Sequence, residues 1–411
     1  MPLDLHEATP RPDWVRRMIS MGESVGGAHH LVPLDPDELI RLARKSTGGL
    51  SDFGDWDGDW RGRLESLLSA MEQTANLHAV GRLMVRQEVL RGLRTRLLLA
   101  RTWNDDPSIA EEAIEEPLII TGPGRSGTSI LFELLCLDPS GHGPLAWESS
   151  HPIAFAPEAE RKAMAECEQE FWEDVNPIIG TIHEHRADLP VECIVVQIPS
   201  FSSAYWWIVA NIPGWVPDMQ ASMQYHKAVL QTLQHGRPPF TWILKTPIYL
   251  MMLDLLYGTF PDAWVVRTHR DPLKTAPSGA STMAACRFQR SDQVDLSSLT
   301  PPDGSGSGGT HDQMLAVEQR MKAGELPDRF VDVHFSDLMA NPVETVATAY
   351  QRVGRPFDPA HADAIVEYLA RKPRGSKGSH HYRPEDWGFD PDAIRAASRA
   401  YMDAFCVSPE D

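Results

Sequence analysis

Apolar residues in the second half of the chain fall into two alternating patterns. Short unbroken apolar runs at 117–121, 240–245 and 263–267, and a further run at 329–335, predict buried strands. Between them lie longer stretches with helical spacing. Ile130, Leu131, Leu134 and Leu135 make one such face, and 158–175, 220–234, 250–257, 342–353 and 359–371 make others. A turn-rich link at 139–144 precedes residues 145–150, read as a short strand ending at Glu148. Strands alternating with helices imply a mostly parallel sheet covered on both faces, a three-layer αβα architecture. Ligand sites in such sheets lie at the carboxyl ends of the strands. Residues 1–115 show only helical spacing, as in Leu64, Leu67, Leu68 and Met71, and again in Leu83, Leu90, Leu93 and Leu97. Asp35-Pro36-Asp37-Glu38 marks one helix start, with an N-cap aspartate and a proline in the first turn. The expected division is a helical region over 1–115 and an α/β domain over 116–411.

The first α/β strand runs into Thr121-Gly122-Pro123-Gly124-Arg125-Ser126-Gly127-Thr128-Ser129. Strand, glycine loop and helix aim backbone N–H groups and a helix N-terminus at an anion, the geometry of a P-loop-like fold. Gly122 and Gly127 have the spacing of a triphosphate-binding loop, and Ser129 supplies its hydroxyl. Thr128 stands where that loop carries its lysine, and Arg125 is its one cation. Loss of a lysine that reaches the β- and γ-phosphates argues against ATP or GTP as group donor. An ordinary tight turn is the bland alternative, but a turn has no need of two glycines, a cation and three hydroxyls together.

Charge sharpens this picture. Acidic residues outnumber basic ones 57 to 38, for a net charge of -19. That balance disfavours nucleic acid and anionic membrane as partners, so an anionic ligand needs local cations. Two further basic groups stand at strand ends. Lys245 closes an apolar run before Thr246-Pro247, and Arg270 follows the strand at 263–267, with Ser278 eight residues on. A third basic element is Arg371-Lys372-Pro373-Arg374-Gly375-Ser376-Lys377-Gly378. The five cysteines have no paired spacing and read as reduced thiols of a cytoplasmic protein. No stretch is apolar and long enough to span a bilayer. His183-Glu184-His185 resembles part of a metal set but has no third ligand nearby, so no metal is expected. Tyr205, Trp206, Trp207 and Trp215 are either the lining of an apolar acceptor site or plain core.

Taken together, these motifs resemble the sulfotransferases that use 3'-phosphoadenosine 5'-phosphosulfate (PAPS), in a bacterial, actinobacterial-type branch. The likeness covers roughly residues 117–385. Gly124, Arg125, Ser126, Gly127, Thr128 and Ser129 resemble the family's 5'-phosphosulfate loop. Arg270 and Ser278 resemble its 3'-phosphate pair, and Leu244-Lys245-Thr246-Pro247 the segment with its transition-state lysine. His334-Phe335-Ser336-Asp337-Leu338 with Asn341-Pro342 resembles its late strand-turn-helix. Arg374, Lys377 and Gly378 resemble, loosely, the basic loop that closes on the 3'-phosphate. The resemblance implies PAPS as sulfuryl donor without metal, and a hydroxyl or amine on a small-molecule or lipid or carbohydrate acceptor. Arg125 and Lys245 would meet the charge that develops on the leaving oxygen. Two of the family's bases are missing, because Pro247 and Leu244 hold their positions. Glu148 resembles a third and is the first choice for general base, with His183, His185, Glu192 and His151 as alternatives. Two other functions fit the same residues: a phosphotransferase with a degenerate loop, and a non-catalytic sensor of adenosine bisphosphate.

Overall fold

A computed structural model describes residues 4–306, 308–372 and 383–410. Five strands form one sheet in the order β2-β3-β1-β4-β5: β1 (Leu118–Thr121), β2 (Gly141–His142), β3 (Thr241–Lys245), β4 (Trp264–His269) and β5 (Phe330–His334). Every pairing is parallel. Ile120 pairs with Lys245 on one side and Val266 on the other, so β3 and β1 end within a residue of each other and β4 runs two residues further.

Alternation along the strands sends neighbours to opposite faces. Ile119, Leu244 and Val265 pack with the helices Met219–Gln234, Leu253–Thr259 and Gly308–Lys322. Ile120, Ile243 and Val266 pack instead with Thr128–Leu135, Pro342–Val353 and Pro359–Arg371. These two cores give the three layers, with helices on both faces as the sequence pattern implies.

Residues 4–115 are helical, and Asp35 caps its helix by accepting from the Glu38 N–H at 2.7 Å. Their apolar face does not close on itself. Leu64, Leu67, Leu68, Met71, Val89 and Leu93 share one core with Ile194, Phe201, Tyr205, Trp206 and Trp215. The aromatic stretch is therefore mainly core: Trp206 is fully buried, and the Tyr205 hydroxyl donates to Glu88 at 2.5 Å. It docks the N-terminal helices.

Residues 145–150 differ from the sequence expectation as well. They form a helix, Ala146–Ser150, entered by a Leu145 N–H that donates to the Glu148 carboxylate at 3.1 Å. A glutamate three residues after the cap is a helix-start signal, and it outweighs the strand reading of the short apolar run. The helices that the sequence pattern does not reveal include Gly308–Lys322 and Pro391–Ala404.

Candidate active site

The loop after β1 is shaped by three residues with positive φ: Gly122 (140°), Arg125 (68°) and Gly127 (88°). A Cβ on Gly122 would lie 2.6 Å from Thr268 Oγ1 and 2.8 Å from the Thr268 carbonyl oxygen, so the loop hugs β4. Ser126 Oγ donates to the Pro123 carbonyl at 2.5 Å and lies 2.5 Å from Thr268 Oγ1. These buried contacts fix the loop, so Ser126 serves its shape rather than offering a free hydroxyl. Thr128–Leu135 starts straight after Gly127, and its first-turn N–H groups have no intrahelical acceptor. They are donors for an anion seated in the loop.

Cations gather around that loop. Arg125 donates from Nε to Ser278 Oγ at 3.1 Å and from Nη1 to the Ile182 carbonyl at 3.1 Å. Arg270 donates from Nη1 to the Arg125 carbonyl at 3.1 Å, and its guanidinium stacks 3.9 Å over the Phe335 ring. Lys245, 2% exposed, donates to Ser129 Oγ at 3.2 Å and to Glu192 Oε1 at 2.5 Å. Glu192 also accepts from Thr246 Oγ1 at 3.3 Å. The structure thus brings Arg125, Ser129, Lys245, Arg270 and Ser278 to neighbouring strand ends. Arg374, Lys377 and Gly378 lie outside the described residues.

The segment before Glu192 lies against this cluster. Desolvation, then the nearby His185, Lys245, Arg125 and Lys372, push the His183 imidazole well below its ordinary pKa, so it is neutral at pH 7. Glu184 pairs with Lys372 at 2.8 Å, and the His185 ring stacks on Trp172 at 5.6 Å. The His183 and His185 rings meet edge to face at 5.3 Å, while Glu184 turns to Lys372.

Glu148, expected as the base on a strand end, stands elsewhere. Its carboxylate meets His142 Nε2 at 2.8 Å and Arg237 Nη2 at 2.7 Å, and it is 1% exposed. Burial alone would raise its pKa, but His142 and Arg237 outweigh that and hold the carboxyl below its usual range. His142 pairs in register with Trp242, whereas Lys245 is three residues further along β3. At about 3.3 Å per residue, that is about 10 Å up the strand. Glu148 ties β2, its own helix and the entry to β3 together, and its acceptor sites are filled by partners that hold it there. The sequence could not separate Glu148 from Glu192, because the order of residues does not say which end of β3 a side chain meets.

A parallel sheet with an anion-binding turn after β1 and basic groups on the adjoining strand ends defines a P-loop-like group-transfer protein. A family profile described as "Sulfotransferase family" matches residues 117–359, and the chain belongs to that family. Omega-hydroxy-beta-dihydromenaquinone-9 sulfotransferase Stf3 of Mycobacterium bovis is 23% identical over 277 residues, covering 64% of this chain and 69% of that protein. Sulfotransferase STF9 from Mycobacterium avium has a similar fold, with a TM-score of 0.78 at 24% identity over 91% of this chain and 97% of that one. For sulfotransferase STF1 from Mycobacterium tuberculosis the values are 0.70, 25%, 89% and 98%. The chain is an enzyme that transfers sulfuryl groups. No described helix is long and apolar enough to cross a membrane.

Proposed function

We propose that this sulfotransferase takes its sulfuryl group from PAPS and places it on the hydroxyl of an uncharged, largely apolar small molecule. The observation that carries the reading is Lys245, held between Ser129 of the anion loop and the Glu192 carboxylate. The first-turn N–H groups and Arg125 suit the donor's 5'-phosphosulfate, and Arg270 with Ser278 suits its 3'-phosphate. The donor supplies the sulfuryl group, and the chain supplies placement and charge. Lys245 and Arg125 meet the negative charge that gathers on the leaving oxygen. Once Lys245 turns to that oxygen, Glu192 is released to take the acceptor's hydroxyl proton as the new O–S bond forms and the old one breaks.

A cavity of about 670 Å³ opens beside Pro123 and Gly124 of the loop, away from Lys245 and Glu192, which do not line it. Its lining includes Ala280, Met283, Leu299 and Phe389 together with Ser and Thr hydroxyls, with no ionisable side chain among the described residues. The acceptor class rests on the Stf3 relative, which is named for an omega-hydroxylated dihydromenaquinone, an apolar body ending in an alcohol.

Glu192→Gln keeps shape and removes basicity. It should lower kcat by about 10²–10⁴ and leave adenosine 3',5'-bisphosphate affinity within about threefold. Neutral His183 is the rival proton acceptor. Full activity in Glu192→Gln beside a dead His183→Ala would move the base to His183. Calorimetry with adenosine 3',5'-bisphosphate and with ATP, each with and without Mg²⁺, tests the donor. Tight Mg²⁺-dependent ATP binding would overturn the PAPS reading.

A further inference from the structure

We propose that Glu410 is an exchangeable counter-anion that occupies the phosphate-binding edge of Arg270 and gives it up to the nucleotide. The inference rests on the reading that Arg270 takes the donor's 3'-phosphate. Arg270 donates from Nε and Nη2 to the Glu410 carboxylate, with contacts at 2.9 and 3.2 Å from Nε and 2.9 Å from Nη2. Nη1 is committed to the Arg125 carbonyl of the anion loop, and Phe335 covers one face. The Nε/Nη2 edge offers two parallel N–H groups, the fork that both carboxylates and phosphates accept from. A carboxylate and a phosphate cannot hold that edge together, because their like charges repel at hydrogen-bond range.

Chain geometry delivers Glu410 to this place. After the helix Pro391–Ala404 the chain turns back, with Val407 N–H donating to the Met402 carbonyl at 2.9 Å and Phe405 and Val407 buried. The Glu410 N–H donates to Asp271 Oδ2 at 2.7 Å, and Arg395 Nη2 donates to the same oxygen at 2.6 Å. The backbone of Glu410 is therefore anchored beside Arg270, while its side chain keeps 29% exposure. Water reaches the carboxylate, so it can swing off without a buried charge being stripped. A departing nucleotide leaves Arg270 re-paired rather than bare, which lowers the barrier to product release. Glu410 thus sets donor and product affinity without touching the sulfuryl group.

The test compares wild type, Glu410→Gln, Glu410→Asp and Arg270→Ala in the full chain. Affinity and dissociation rate are measured for adenosine 3',5'-bisphosphate and for adenosine 5'-phosphate. Losing the bidentate competitor should tighten the bisphosphate about 5- to 50-fold in Glu410→Gln and slow its dissociation. Adenosine 5'-phosphate should be unaffected, and Glu410→Asp, which keeps the charge, should stay near wild type. Unchanged or weaker bisphosphate binding in Glu410→Gln overturns the proposal; the weaker result would make Glu410 a prop for Arg270. If Arg270→Ala binds both nucleotides as wild type does, the 3'-phosphate reading fails first, and the exchange falls with it.

Discussion

Lys245 is the residue on which chemistry and sequence agree most closely. A lysine closing an apolar strand has to be met at its tip, and Ser129 and Glu192 meet it. Lys245→Ala should lower kcat by about 10²–10³, the range for losing one preorganised charge stabiliser, with nucleotide affinity changing far less. Steady-state kinetics decide this, and a variant with normal kcat and only a raised KM would give Lys245 a ground-state role. Motif spacing also singled out Arg125 and Ser278, and the structure joins them by a hydrogen bond at 3.1 Å. Glu192 was legible only as one of several acids and histidines, and Glu410 not at all. Both are placed by contacts distant in sequence, 53 residues from Lys245 and 140 from Arg270. Glu148 shows the reverse case, an acid at a plausible position in the chain whose partners lie at the other end of β3.

At the scale of elements, the loop and its strands were readable because glycine and apolar runs carry them. Gly122 is the strictest position. Its φ of 140° and the close Thr268 atoms leave no room for a side chain. Gly122→Ala should strain the joint between β1 and β4, costing about 1–3 kcal/mol in denaturant titration, and should weaken adenosine bisphosphate binding in the same preparation. Wild-type stability in that variant would mean the loop relaxes and the backbone is not strained. The helix Gly308–Lys322 escaped reading because Gly- and Ser-rich residues lead into it and resemble a linker. Ala146–Ser150 escaped because five residues are too few for a period of 3.6 to differ from a strand's alternation. Glu148 carries its helix-start signal, which an acid suited to catalysis shares.

Across the whole molecule, two features bear on stability. The first is acid sensitivity. Burial would raise the pKa of Glu168, but Arg91 and His151 outweigh it and hold the carboxyl at about 2. Asp332 is likewise held at about 2, against its burial, by His269 and Arg267. Depressed carboxyl groups stabilise the fold fully above their unfolded values near 4, and that stability is lost as pH falls towards 2. The denaturation midpoint should therefore drop between about pH 4.5 and 2, and Glu168→Gln should flatten the drop. The second feature is the boundary near residue 115, which the sequence drew from a change in pattern. The packing disregards it. Leu64, Leu67, Val89 and Leu93 share a core with Phe201, Tyr205 and Trp206. Arg290, fully buried, donates to both Glu88 oxygens at 2.9 Å, and a Cβ on Gly81 would lie 2.1 Å from the Arg290 carbonyl. Cutting at 115 would strip Arg290 of its Glu88 partner and expose the aromatic face of the shared core to water. A fragment of residues 116–411 should therefore be insoluble or lack a cooperative thermal transition, and the full chain should unfold in one. Adding fragment 1–115 in trans should recover solubility in part, since the shared core is large and apolar. A soluble, cooperatively folding 116–411 that binds adenosine bisphosphate would make the helical region a separate domain, and the shared core a docking face between two domains.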